Sequence, residues 1–399
     1  MKRKADPVTQ AVRAGVEIDP VTGAVVPPIH LTSTFAFRAF GEKRGYDYTR
    51  SGNPTRDILA GALAELEGGA GAVVTATGMA AVTLTGHLIG GGARIVAPHD
   101  CYGGTYRLFD AWRRRGTARV EFVDFAEEAA VRAALAAETA LLWIETPSNP
   151  LLRITDIERF AALGRESGAL VVVDNTFLSP LWQRPIDLGA DLVVHSTTKY
   201  LNGHSDVVGG AVVARTKELH GELIWWANCL GLTGAPFDSF MTLRGLRTLN
   251  ARLTQHAANA MALAHWLAEQ PGVTRVYYPG LASHPGHELA RRQQRAFGGI
   301  VTLELAGGHD AVRALASDLQ FFSLAESLGG VESLVAHPAT MTHAAMDPEA
   351  RRRAGLTDGL IRLSVGIEAL EDLRADLAAG LDRARHAVGA SRSKRAEEA

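Results

Sequence analysis

At 399 residues the chain is long for one domain and comfortable for two or three. Its 47% hydrophobic and 21% charged residues are the balance of a soluble globular protein, and a formal net charge of -2 argues against a nucleic-acid partner, which asks for a basic excess or stripe. Two cysteines, Cys101 and Cys229, are too few for a disulfide framework or a repeated C-x-x-C pattern, so a reducing compartment and no metal site are expected.

The chain opens on "MKRKADPVTQAVRAGVEIDP", which is basic without an apolar run behind it, and no later apolar run approaches the length of a membrane span. A cytoplasmic protein with no membrane contact is the expectation. Residues 1–55, with the Pro-Pro of "VVPPIHLTSTFAFRAF", read as an extended arm. From Gly71 seven short apolar runs recur: "GAVVTATG", "ARIVAPHD", "RVEFVD", "ALLWIETP", "ALVVVDNTF", "DLVVHSTTK" and "GGAVVAR". Helical patterns such as "EEAAVRAALAA" and "TDIERFAALGRESG" lie between most of them. This alternation predicts a mainly parallel sheet covered on both faces, in a large domain over 56–250. After about Leu246 the helical stretch "RTLNARLTQHAANAMALAHWLAEQ" stops at Pro271-Gly272. Strand-like "TRVYYPG", "GGIVTLELAGG" and "LIRLSVGIE" then precede a last helix from about Leu370. These predict a smaller α+β domain over 251–390, with the polar end 391–399 as a disordered tail. The "RRR" runs at Arg113 and Arg351 read as solvated helix faces.

In such a sheet ligands bind beyond the carboxyl ends of the strands. The first run ends on Thr77-Gly78-Met79, a glycine turn opening a helix, whose amides form an anion site. The second leads to Tyr102, a flat ring before two glycines, and the fourth to Asn149 between prolines. The fifth closes on Asp174, a carboxylate that needs a partner at the end of a buried strand. The sixth carries Ser196, Thr198 and Lys199. Taken singly each has a plain reading, as a turn, as packing or as a snorkelling lysine. Together they are the set that pyridoxal 5'-phosphate needs: a lysine for its aldehyde, an acid for its ring nitrogen, and amides and hydroxyls for its phosphate.

Ser196-Thr197-Thr198-Lys199 also satisfies S-x-x-K, the pattern of serine acyl-enzymes, but its partner tripeptides S-D-N and K-T-G are absent. A non-catalytic protein on an enzyme fold should have lost Lys199 or Asp174. His195 and His204 read as structural, His337 and His343 are not at a metal spacing, and Cys101 reads as packing.

"YTRSGNPTR", "LAELEGGAGAVVTATGMAA", "PHDCYGGTYRLFD", "VVDNTFLSP", "DLVVHSTTKYLNGHSDVV" and "LAESLGGVESL" resemble the Cys/Met-metabolism group of fold-type-I pyridoxal phosphate enzymes, over nearly the whole chain. Within the group the bacterial cystathionine γ-synthases are the most similar, with γ-lyases and sulfhydrylases as close relatives. The resemblance implies a transferase fold with a seven-stranded large domain, and a homotetramer built as a dimer of dimers with shared sites. It implies Lys199 as Schiff-base lysine and proton shuttle, Asp174 at the ring nitrogen, Asn149 at the ring oxygen and Tyr102 stacked on the ring. Gly78, Met79, Ser196 and Thr198 would hold the phosphate, joined by Tyr48 and Arg50 from the neighbouring subunit. Arg362 would clamp the amino-acid carboxylate with its planar fork. Ser327 would orient Lys199 and the substrate, with Glu326 beside it, and Arg107 and Asp47 would meet the substrate's far end.

The activity implied is γ-replacement: O-succinyl- or O-acetylhomoserine plus L-cysteine gives cystathionine and the free acid. γ-Elimination of cystathionine and direct sulfhydrylation are the alternatives. Glu326 matches the γ-synthases and γ-lyases, whereas the β-lyases carry another residue there. Ser51 departs from the second arginine of some succinyl-using γ-synthases, which favours an acetyl ester or cystathionine unless the change is a neutral surface one.

Overall fold

In the computed structural model the described residues are 5–344 and 346–397. Seven strands follow the seven apolar runs: β1 (Gly71–Thr75), β2 (Arg94–Pro98), β3 (Arg119–Val123), β4 (Leu141–Glu145), β5 (Leu170–Asp174), β6 (Leu192–His195) and β7 (Gly210–Ala214). They form one sheet in the order β1-β7-β6-β5-β4-β2-β3. Pairing is parallel from β6 through β3, while β7 runs antiparallel to both neighbours. Successive residues of the central strands fall into different apolar clusters: Leu142, Ile144, Val171 and Val173 in one, Trp143, Val172, Leu192 and Val194 in another. Both faces are therefore buried, which is why these strands read as unbroken apolar runs.

Strand order places the cleft. The chain goes from β1 at one edge to β2 and β3 at the other, then returns through β4, so connections leave β2 and β4 in opposite senses. A sheet opens a crevice at such a switch, beyond the strands' carboxyl ends.

A second sheet packs in the order β10-β11-β12-β9-β8, from β8 (Val273–Tyr277), β9 (Ile300–Leu305), β10 (Phe322–Leu324), β11 (Ser333–Ala336) and β12 (Leu360–Ser364). It shares a core with the helices Leu249–Ala268 and Leu370–Glu397, through Leu263, Leu267, Leu303, Leu363 and Leu377. β10 and β11 had no counterpart among the expected strands. The last helix is continuous through Glu397, across most of the segment expected as a tail. Among the described residues before Pro54 the chain carries one short helix, Pro7–Val12, and otherwise runs without regular elements. Among the described residues no helix is long and apolar enough to cross a membrane.

Candidate active site

Beyond the carboxyl ends of β1, β4, β5 and β6 lies a cavity of about 390 Å³. Gly78, Met79, Tyr102, Asn149, Asp174, Ser196, Thr198, Lys199, Glu326, Ser327 and Arg362 all line it. The strand ends thus bring the expected polar set into one space, and the second sheet closes it with β12 and the loop before β11.

Lys199 follows β6, and its Nζ donates to Ser327 Oγ at 2.8 Å. Burial, and then the charge of Arg362, bring its pKa down to about 8, so the neutral amine is accessible near physiological pH. Ser327 has φ of 87°, a left-handed conformation uncommon outside glycine. Its neighbours hold it there: the Ser327 carbonyl accepts from Arg362 at 2.7 Å, and the N–H of Gly329 donates to Ser364 Oγ at 2.8 Å. Arg362 is 2% exposed on β12. It donates to Asn149 Oδ1 at 2.9 Å as well, its Nε has no partner, and burial lowers its pKa to about 10. Among the described residues no carboxylate pairs with this guanidinium, although a buried cation ordinarily requires one. The fork is in place for an anion brought by a ligand.

Asp174 Oδ1 accepts the N–H of Thr176 at 3.0 Å, and burial raises its carboxyl above the usual carboxylate range. Tyr102 caps the helix Gly103–Arg115, and a side chain at Gly104 would meet the Tyr102 ring at 2.5 Å. That glycine lets the ring lie back against the turn.

The phosphate end has equally little room. The helix Gly78–Gly86 begins after β1 with Thr77 capping the N–H of Ala80, which leaves the amides of Gly78 and Met79 for a ligand. A Cβ at Gly78 would lie 2.8 Å from Ser196 Cβ and 2.9 Å from its Oγ, so only glycine permits this approach. Thr198 Oγ1 accepts from the N–H of Gly209 at 3.0 Å and donates to its carbonyl at 3.2 Å, which fixes the hydroxyl's position. An amine, an acid, a ring platform and an amide-lined anion end around one cavity fit pyridoxal 5'-phosphate.

Four expected residues are not brought to this cavity within one chain. Tyr48 is 47% exposed and Arg50 donates to Asn228 at 2.8 and 3.0 Å, both lining a separate surface groove. Asp47 pairs with Lys43 at 3.5 Å, and Arg107 is exposed, near enough to Tyr102 to act on its hydroxyl electrostatically. Ser51 is exposed. His195 is fully buried against Glu67 at 2.7 Å, His204 bonds its own loop at Asn202, and among the described residues no metal-ligating cluster occurs. Cys101 is buried, and burial pushes its thiol up. Sequence reasoning passed over Glu145 and Thr342, which also line the cavity. Glu145 carries the signal that exposed Asp174, a carboxylate on the last residue of an apolar strand; Thr342 carries none.

The fold and this site define an enzyme that works through pyridoxal phosphate on an amino group. The chain belongs to the Cys/Met metabolism PLP-dependent enzyme family, whose profile matches residues 8–382. It is 56% identical to the cystathionine γ-synthase of Escherichia coli (strain K12), over 93% of this chain and 97% of that protein. It is 50% identical to the cystathionine β-lyase of Coxiella burnetii, over 94% and 97%. The crystal structure of cystathionine γ-synthase from Xanthomonas oryzae pv. oryzae in complex with cystathionine superposes with a TM-score of 0.95 at 59% identity, covering 96% of this chain and all of that one.

Proposed function

We propose that the enzyme catalyses γ-replacement: the thiol of L-cysteine displaces the acyloxy group of an O-acylhomoserine, giving cystathionine and the free carboxylic acid. The observation that carries the reading is the joint lining of one cavity by Lys199, Asp174 and Arg362, which are a base, an acid for a ring nitrogen and a carboxylate clamp. Likeness to cystathionine γ-synthases supports the choice of reaction within the family.

Bound in this cavity, the cofactor supplies an electron sink that makes the α- and β-hydrogens of the amino acid acidic. Asp174 would hold the ring nitrogen, Tyr102 would cover the ring, and Asn149 would meet the ring oxygen. Gly78, Met79, Ser196 and Thr198 would hold the phosphate, with Tyr48 and Arg50 of a second copy. Arg362 orients the substrate by its α-carboxylate. Lys199 would hold the cofactor's aldehyde in the resting enzyme and, as a neutral amine, would carry protons between the substrate carbons, with Ser327 Oγ accepting from its Nζ to orient it. Glu326, Arg107 and Asp47 border the far end of the substrate. The working form is a cytoplasmic homotetramer, a dimer of dimers with shared sites.

Incubation with O-succinylhomoserine or O-acetylhomoserine and cysteine, and separately with cystathionine alone, tests the reaction. Cystathionine formation from an ester supports γ-replacement. Inert esters with rapid cleavage of cystathionine would replace the proposal by a lyase, and pyruvate or 2-oxobutyrate as product would distinguish β- from γ-elimination.

A further inference from the structure

Glu145 ends β4 as Asp174 ends β5, and the two are direct register partners. The Glu145 side chain is almost wholly buried yet lines the cavity. Its Oε2 accepts the backbone N–H of Tyr102 at 2.8 Å and its Oε1 that of Asn149 at 3.3 Å. These amides belong to the two loops that diverge at the sheet's switch point. One loop carries the ring platform, the other the amide set against the ring oxygen.

Two converging N–H donors require an acceptor at each end of the side chain. A carboxylate provides both, whereas a glutamine would turn an NH2 toward one of them. That geometry explains a glutamate here, but it leaves a charge without a counter-ion. Among the described residues no lysine, arginine or histidine bonds Glu145, and the charged groups that act on it most, Asp174 from β5 and Asp100 beyond β2, are both acidic. Lys199 and Arg362 line the cavity but are bonded to Ser327 and Asn149 instead. Burial, then Asp174, hold the Glu145 carboxyl well above the usual range. The imidazole of His195 acts on Asp174 but is bonded to Glu67, so two adjoining buried carboxylates remain unfavourable unless a ligand brings a cation. A pyridine nitrogen kept protonated opposite Asp174 is a cation of that kind.

We propose that Glu145 is a positioning residue of the cofactor site: it ties Tyr102 to Asn149 through their backbones and adds a second negative charge beside Asp174 for the protonated ring. The inference rests on the ring placement given under Proposed function.

The test uses Glu145→Gln and Glu145→Asp enzymes purified with pyridoxal phosphate. Glu145→Gln should release the cofactor about tenfold more readily, and the pH at which its visible band changes should fall by about one unit, because losing a negative charge disfavours the protonated chromophore. Its turnover at saturating cofactor should fall about tenfold or more while KM for the amino acid stays within about threefold. Glu145→Asp keeps the charge but is a methylene short, so it should hold the pH of the band and still lose turnover. A folded Glu145→Gln enzyme with the parent's band, cofactor affinity and turnover overturns the proposal. Should the glutamine variant not fold, parent-like turnover in Glu145→Asp overturns it alone. A parent enzyme that takes up no pyridoxal phosphate, or a Lys199→Ala variant as yellow and active as the parent, would instead sink the cofactor reading itself.

Discussion

Lys199 can capture an aldehyde only as a neutral amine, and its surroundings decide when that form exists. Its pKa of about 8 in the folded chain lies below the ordinary 10.5, because burial penalises the ammonium. The neutral fraction therefore falls as pH drops below about 8. Reconstitution of cofactor-free protein, followed by its visible absorption, should slow by about tenfold per pH unit below that point. An unchanged rate down to pH 6 would contradict the assignment of this amine. Arg362→Lys tests the clamp: an ammonium keeps the charge but cannot reach both Asn149 and the Ser327 carbonyl, so kcat/KM should fall by about a hundredfold, mostly through KM. Arg362 was legible only through the family resemblance, whereas Lys199 was legible because it breaks the expectation of its strand, as a charge at the end of an apolar run. Glu145 breaks it in the same way. It went unread because "TPSNP" beside it offered Asn149, and because its role depends on Tyr102, distant in sequence.

The helix Pro54–Glu67 is pinned beneath the sheet by its last residue. Glu67 accepts from Asn175 at 2.8 Å and meets His195 at 2.7 Å, all fully buried. Asn175 continues to Gln183, and Gln183 to the partly buried Gln293 at the end of the helix His287–Gln293, so a chain of polar side chains runs on from the end of β5. Deleting the imidazole strands a buried carboxylate, and His195→Ala should lose about 3 kcal/mol, read as a lower urea midpoint. In the loop before β11 the conflict runs the other way. Ser327→Gly relieves the positive φ and should raise stability by roughly 1 kcal/mol while turnover falls, because Lys199 loses its acceptor. Thermal melts and kcat, measured together, check both halves. At this scale the sequence was readable where strands of four to six residues are apolar and alternate with helices or stand between clear turn signals. It was silent on β10 and β11, three and four residues long, which form only because neighbouring backbone pairs with them. The reversed direction of β7 was equally invisible, since a strand buried on both faces reads alike either way.

A single copy leaves Phe40, Trp225, Phe237 and Tyr48 in water, on or near the arm that precedes Pro54 and the helix Lys217–Leu230. Such apolar area asks for cover, and the proposed shared site would explain why Tyr48 and Arg50 stand apart from their own cavity. Mixing Lys199→Ala with Arg50→Ala protein gives the sharpest check. Each is inactive alone, but a hybrid pair contains one intact site, so random exchange should restore about a quarter of parental activity. No recovery after verified exchange would mean that each chain serves itself. The guanidinium of β12 carries a last consequence. It already grips a loop of the large domain and a carbonyl of its own domain before any amino acid arrives. On the proposed reading, an incoming α-carboxylate would meet a guanidinium whose direction the fold itself has set.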